Sequence, residues 1–206
     1  MGERDQESFW RGNFGDDYSA RNVGEGIVSS NGYLFSQILS SIPELPNDVF
    51  EMGANIGLNY LALKSLIPGV RFTGLEVNPS ACEKLASLGC RAINNSIHDF
   101  EPLESFDLVL SKGVLIHINP ALLEDVYEKL FRLSRRYILL AEYYSPTPVS
   151  IDYRGHSERL FKRDFAGEML DAFPSLRLVS NGFAYHRDKF PQDDLTWFLL
   201  EKVSTA

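Results

Sequence analysis

The sequence predicts an α/β fold built as one domain, with a mostly parallel sheet that ends in an antiparallel hairpin and helices on both faces. Three observations predict it. Short β-rich runs alternate with segments of helical period, as parallel strands joined by helical crossovers require. The strand runs are short and mostly apolar, as strands covered on both faces are. The last two β-like runs have no room for a helix between them, so they pair as a hairpin. At 206 residues the chain can bury a core without disulfides or a structural metal.

Residues 1–45 read as an N-terminal extension with a lid-like helical segment, and residues 46–206 as the sheet domain. Strands are expected at Asp48 to Met52, Val70 to Glu76, Phe106 to Leu110 and Arg136 to Glu142, with a weaker one at Arg91 to Asn94. Leu58, Leu61, Ala62 and Leu66 fall three or four apart, as do Leu122, Val126, Leu130 and Leu133 in a stretch opened by Asn119-Pro120. Asparagine before proline suits an N-cap and first helical position. A further helix is expected from Asp164 to Phe173, stopped by Pro174. The hairpin follows, Leu176 to Tyr185 and Leu195 to Val203, around the turn-rich HRDKFPQD.

Composition narrows the function. Lys and Arg total 20 against 28 acidic residues, a net charge of -8, and no basic stripe is present to track a phosphate backbone, so no nucleic-acid partner is expected. No apolar run approaches membrane-helix length, and MGERDQES lacks the order of a signal peptide. A soluble, cytoplasmic protein is expected, with no membrane partner. Cys82 and Cys90 have neither framework nor metal-site spacing and read as reduced core residues; no metal site is expected.

The strongest local signal is VFEMGANIG, residues 49 to 57, which follows a strand and opens a helix, where an open parallel sheet binds ligands. Gly53 permits the tight turn, Asn55 follows, and Gly57 lets the helix approach sheet and cofactor closely. Glu51, at the strand's end, can receive an amino group. Glu76 ends the second strand, where an acid accepts both hydroxyls of a ribose, and Val77 would face the base. Asn95-Ser96-Ile97 end the weak strand, with Ser96 and Ile97 placed to hold adenine, and Ser111 and Lys112 follow the fourth. Four strand ends in this order point to an adenosine cofactor. The run lacks GxGxxG, which fits S-adenosylmethionine, since that molecule has no pyrophosphate for a helix start to cradle. NAD, which Glu76 serves equally, is the alternative.

The chain resembles the class I methyltransferases, and more narrowly the pseudaminic acid biosynthesis-associated methylases. The narrower likeness is carried by FWRGNFGDDYSARN (9–22), EMGANIGLN (51–59), LSKGVLIHINP (110–120) and EYYSPTPVSIDYRGHSERLFKRDFAGE (142–168). It implies a Rossmann-like class I methyltransferase fold with a seven-stranded sheet, in a bacterial enzyme of surface-glycan biosynthesis.

Methyl transfer from a sulfonium is an in-line displacement, so the enzyme chiefly aligns the reactants and excludes water. His117 is the candidate general base, at the rim after the fourth strand; packing in the turn before Asn119-Pro120 is the alternative. Glu142, Tyr143 and Tyr144 end the fifth strand, where an acid and phenols can orient an amine or hydroxyl, with alternate side chains facing inward. From Tyr153 to Arg163 the chain gathers Arg154, His156, Arg159, Lys162 and Arg163, a cluster suited to an anionic small-molecule acceptor or else to a solvated helix start. Trp10, Phe14, Tyr18, Asp16, Asp17, Arg21 and Asn22 form an aromatic-rich leader. It reads as a lid, with Tyr18 and Arg21 toward the substrate, or as a packing arm for the domain's flank or a second subunit, which leaves a homodimer open.

Overall fold

The computed structural model describes residues 5–153 and 156–203, with the side chains of residues 5, 153 and 156–159 excepted. Three helices come first: α1 (Asp5–Arg11), α2 (Asn13–Arg21) and α3 (Glu25–Leu39). The body then runs β1 (Asp48–Met52), α4 (Leu58–Leu66), β2 (Arg71–Glu76), α5 (Pro79–Ser87), β3 (Arg91–Asn94) and β4 (Phe106–Lys112). It continues through α6 (Leu123–Leu133), β5 (Ser134–Glu142), β6 (Val149–Tyr153), β7 (His156–Lys162), α7 (Phe165–Ala172), β8 (Leu176–Ala184) and β9 (Leu195–Lys202).

Seven strands make one sheet in the order β3-β2-β1-β4-β5-β9-β8, and β6 and β7 make a separate hairpin. Pairing is parallel from β3 to β5 and antiparallel from β5 through β9 to β8. The chain reverses its winding between β1 and β4, and ligands of open α/β sheets bind at such a switch point.

The middles of the central strands are mostly apolar because both faces are covered. Phe50 and Met52 of β1, Val109 of β4, and Ile138 and Leu140 of β5 enter one core with Leu130 of α6 and Met169 of α7. Their neighbours Val49, Leu108, Leu110 and Leu139 enter the other, against Phe35 of α3 and Leu63 of α4. Side chains of adjacent strand residues point to opposite faces, so a one-residue register slip would exchange the two cores. At the edge away from the switch point, Arg135 reaches Asp48 (2.8 Å) and Asp107 (2.9 Å), tying the starts of β1, β4 and β5.

Two local expectations need correction. Asn119 does cap, its Oδ1 accepting from Ala121 N, but what it opens is a 3-10 turn, Pro120–Leu122, and α6 starts only at Leu123. The basic segment 153–163 is no helix start. It contributes to the β6–β7 hairpin, and the next helix begins at Phe165, where Asp164 Oδ1 accepts from Gly167 N. Among the described residues no helix is long and apolar enough to cross a membrane. Cys82 and Cys90 are both free.

Candidate functional site

A cavity of about 800 Å³ opens over the carboxyl ends of β1 to β4, inside the range of small-molecule sites. Its floor is the turn after β1. Gly53 (φ +74°) and Gly57 (φ +84°) take left-handed backbone there, which costs other residues strain. A Cβ on Gly53 would meet Val114 at 2.6 Å, so the turn presses on the chain leaving β4. At Gly57 a Cβ would meet Leu88 and Leu85, 2.7 and 2.8 Å away. Gly57 therefore brings α4 close against α5 and stands outside the cavity wall.

Four backbone donors of this turn are already taken. Gly53 N and Ala54 N both donate to Leu75 O, Gly57 N donates to Ala54 O, and Asn55 N donates to Glu76 Oε2 at 2.7 Å. Glu76 receives Asn78 N on its other oxygen, at 2.8 Å. The carboxylate is thus fixed in the wall by backbone N–H groups on both oxygens, and it retains acceptor capacity. Burial raises its pKa, and the N–H groups of Asn78, Asn55 and Val77 pull it down.

Behind the floor, Glu51 is fully buried. Its Oε1 accepts from Asn59 Nδ2 at 2.5 Å, while Glu51 Oε2 and Asn59 Oδ1 have no hydrogen-bond partner. Two buried acceptors side by side are costly unless a donor reaches them. Burial pushes the Glu51 carboxyl up to about 8, against the Asn59 amide and the Lys112 ammonium. Lys112 lines the cavity, and burial lowers its pKa while Glu51, Asp193 and Glu142 raise it.

The raised Glu51 carboxyl has a measurable consequence. Below pH 4.5 it is protonated in both the folded and unfolded chain; between 4.5 and about 8 only the unfolded chain releases the proton. Stability therefore falls as pH rises through that window. Glu51→Gln should remove this part of the slope and stabilise the fold more at pH 8 than at pH 5, by a few kcal/mol at about 1.4 kcal/mol for each pH unit, so the melting temperature rises more at pH 8. Equal gains at both values in thermal unfolding would show that Glu51 is ionised in the folded chain.

The leader closes the cavity from above. Asn78, which caps α5 through Oδ1 to Ala81 N, donates its Nδ2 to Asp16 Oδ1 at 2.9 Å. Ser19 Oγ donates to Asn55 Oδ1 and Ser96 Oγ to Glu7 Oε2, each at 2.6 Å. Gly15 lets α2 pack on α1 and against Asn78, because a Cβ there would lie 1.9 Å from Trp10 O and 2.9 Å from Asn78 Nδ2. Trp10 packs edge-on against Phe14 and Tyr18, both with centroids at 5.3 Å, and lies 4.7 Å from the His117 ring.

Of the residues singled out in the sequence, the cavity wall gathers Tyr18, Gly53, Asn55, Glu76, Val77, Ser96, Ile97, Lys112 and His117. Others stand elsewhere. Ser111 is buried one layer back, its Oγ donating to Glu142 Oε1 at 2.8 Å. Glu142 Oε1 also accepts from Val114 N and Leu115 N, so this acid shapes the loop after β4 from behind; burial lifts its carboxyl to about 7. Tyr143 packs against the core with Lys162 Nζ 5.1 Å from its ring centroid, and Tyr144 pairs with Arg163, away from the cavity. Arg21 is exposed and outside the wall. Strand alternation had left open which of residues 142–144 faces the cleft, and none of them does. Arg154 lies outside the described residues, as do the side chains of His156 and Arg159.

The wall also has parts that the sequence did not single out. Ser30 and Asn31 of α3 face the loop between β8 and β9, where Gln192 Nε2 donates to Asn31 Oδ1 at 3.0 Å and Phe190 stacks on Tyr33. Glu7 and Asn59 are among the others. HRDKFPQD was legible as a turn, but nothing local tells that a turn folds back over a site 161 positions away.

No family model matches the chain, and a search of curated proteins finds none similar to it. Solved structures resemble it along nearly its whole length. The 1,6-didemethyltoxoflavin-N1-methyltransferase of Burkholderia thailandensis, with bound 1,6-didemethyltoxoflavin and S-adenosylhomocysteine, has a TM-score of 0.74 at 15% identity, covering 99% of this chain and 92% of its own. The plantazolicin methyltransferase BpumL with S-adenosylhomocysteine gives 0.68 at 12%, over 98% and 95%. The magnesium protoporphyrin IX methyltransferase of Synechocystis PCC 6803 with bound S-adenosylmethionine gives 0.66 at 12%, over 96% and 97%. The chain has the Rossmann-like fold of these methyltransferases.

Proposed function

We propose that this chain is an S-adenosylmethionine-dependent methyltransferase acting on a small, anionic acceptor. The observation that carries the reading is the order of groups along the cavity wall. Sheet order sets Ser96 and Ile97 after β3, Glu76 and Val77 at the end of β2, Gly53 after β1 and Lys112 at the end of β4 in one line. An adenosine fits one end and an amino acid the other. Asn59 Oδ1 in the wall and Glu51 Oε2 behind it, both without partners, suit an ammonium group at the amino-acid end, whose charge would draw the proton off the Glu51 carboxyl. NAD is the alternative, because Glu76 serves its ribose equally, and mass detection of the retained cofactor separates the two.

When bound, adenosylmethionine supplies a sulfonium methyl group open to in-line displacement. Glu76 accepts the ribose hydroxyls, and Glu51 and Asn59 hold the amino-acid end, with Lys112 facing its carboxylate. His117, its ring packed on Trp10, takes the acceptor's proton where the attacking atom carries one. Of residues 1–45, α1 and α2 act as the lid that excludes water, while α3 packs into the core. Glu142 works through others, holding the loop that carries His117.

The anionic acceptor follows from the basic segment 153–163, whose strand β7 packs against the turn Leu115–His117. A local cationic cluster on a chain of net charge -8 concentrates an anion where general repulsion opposes it. The finer reading, an acidic sugar or its nucleotide conjugate in the cytoplasm of a bacterium making surface glycans, comes from the family resemblance in the sequence.

Mass detection after incubation with adenosylmethionine or NAD tests the cofactor. Retained adenosylmethionine or its demethylated product is expected, and retained NAD alone would overturn the reading. Methyl transfer is then screened against acidic sugars, their CMP and UDP conjugates and small amines. Arg154→Ala and Arg159→Ala should raise the KM for the acceptor, less so at high salt, with cofactor affinity unchanged. Wild-type kinetics in both would return the cluster to a solvated hairpin.

A further inference from the structure

We propose that Glu7 of the leader helix α1 selects the base of the cofactor, its carboxylate accepting the exocyclic amino group of adenine. The inference rests on the adenosylmethionine reading above. With the ribose on Glu76, the base lies toward the Ser96 end of the wall, between Val77 and Ile97. Ser96 is fully buried there, and its one hydroxyl proton goes to Glu7 Oε2 at 2.6 Å, while its oxygen accepts from His98 N at 3.1 Å. The serine therefore presents Glu7 to the base and has no proton left for it.

Glu7 has the right remaining valences. Its Oε2 accepts from Ser96 and its Oε1 from Arg11 Nη2 at 2.6 Å, whereas an ionised carboxylate has roughly four acceptor sites. The side chain is 14% exposed and lies in the cavity wall. A carboxylate only accepts. It pairs with the amino group of adenine and opposes the carbonyl oxygen that hypoxanthine carries at the same position. Sites built to bond one polar group reject the analogue that lacks it, because buried partners are then left unpaired. The same contact joins base recognition to lid docking, since Glu7 belongs to the helix that closes the cavity.

Calorimetric titration of the full chain with S-adenosylhomocysteine and with S-inosylhomocysteine tests this. The wild type should bind the adenine form tighter by about ten-fold or more. Glu7→Gln keeps an oxygen for Ser96 and offers an N–H to the hypoxanthine oxygen, so it should bring the two affinities within about three-fold. The exposed ion pair it loses to Arg11 contributes little. If Glu7→Gln weakens both ligands by one common factor, Glu7 is a tether for the leader and the inference fails alone. A wild type that shows no preference also overturns it. A wild type that binds neither ligand removes the adenosylmethionine reading, and the inference with it.

Discussion

Glu76→Ala should abolish most of the affinity for adenosylmethionine. The side chain is proposed to accept two ribose hydroxyls, and hydrogen bonds to a charged group contribute about 1.5–3 kcal/mol, roughly ten- to a hundred-fold in binding. The structure adds a second loss. Asn55 N and Asn78 N both end on this carboxylate, so alanine leaves two backbone donors unpaired and loosens the turn after β1. Asn78 is also the residue that grips Asp16 of the leader, so the lid loses part of its anchorage. Glu76→Gln retains one acceptor oxygen and should fall between wild type and alanine. Calorimetry on the folded variants decides the matter, and an unchanged affinity in Glu76→Ala would take the residue out of the site.

Removing residues 1–22 should leave a folded sheet domain with weak cofactor binding and little turnover. The fold should survive because both cores are built from β1 onward together with α3, and neither includes a residue of α1 or α2. Binding should suffer because the deletion strips Glu7, Trp10, Tyr18 and Ser19 from the wall. It also leaves Asn55, Asn78 and Ser96 without their leader partners, and it admits water to a site that has to exclude it. Circular dichroism would check the fold, with calorimetry and a methyl-transfer assay checking function. A truncated chain of full activity would make the leader a packing arm instead of a lid.

The sheet was legible because its signal is local. Mostly apolar runs such as Val49 to Met52, broken only by Glu51, and Tyr137 to Ala141 specify strands covered on both sides, and adjacency alone made β8 and β9 antiparallel. Glycines with positive φ at 53 and 57 marked the turn after β1, and the acid at Glu76 marked the second strand's end. Helix α5 escaped attention although Asn78-Pro79 caps it in the same way that Asn119-Pro120 was expected to open α6. Of the hairpin, β7 was hidden by its charged residues, which obscure a strand period, whereas β6 carries the alternating Val149, Ile151 and Tyr153 in only five residues.

By itself, then, the sequence determined the element order, the parallel sheet with its terminal hairpin, and the line of strand ends that faces a ligand, because strand period and turn chemistry are encoded within a few neighbouring residues. Tertiary structure decided which side chains reach the cavity. Glu142 and Ser111 turn inward to brace the loop after β4, Glu51 is covered by Asn59, and Glu7 arrives beside Ser96 from 89 positions away. Contacts of that span depend on how α1, α3 and the β8–β9 loop pack over the sheet, and no local pattern of residues records that packing.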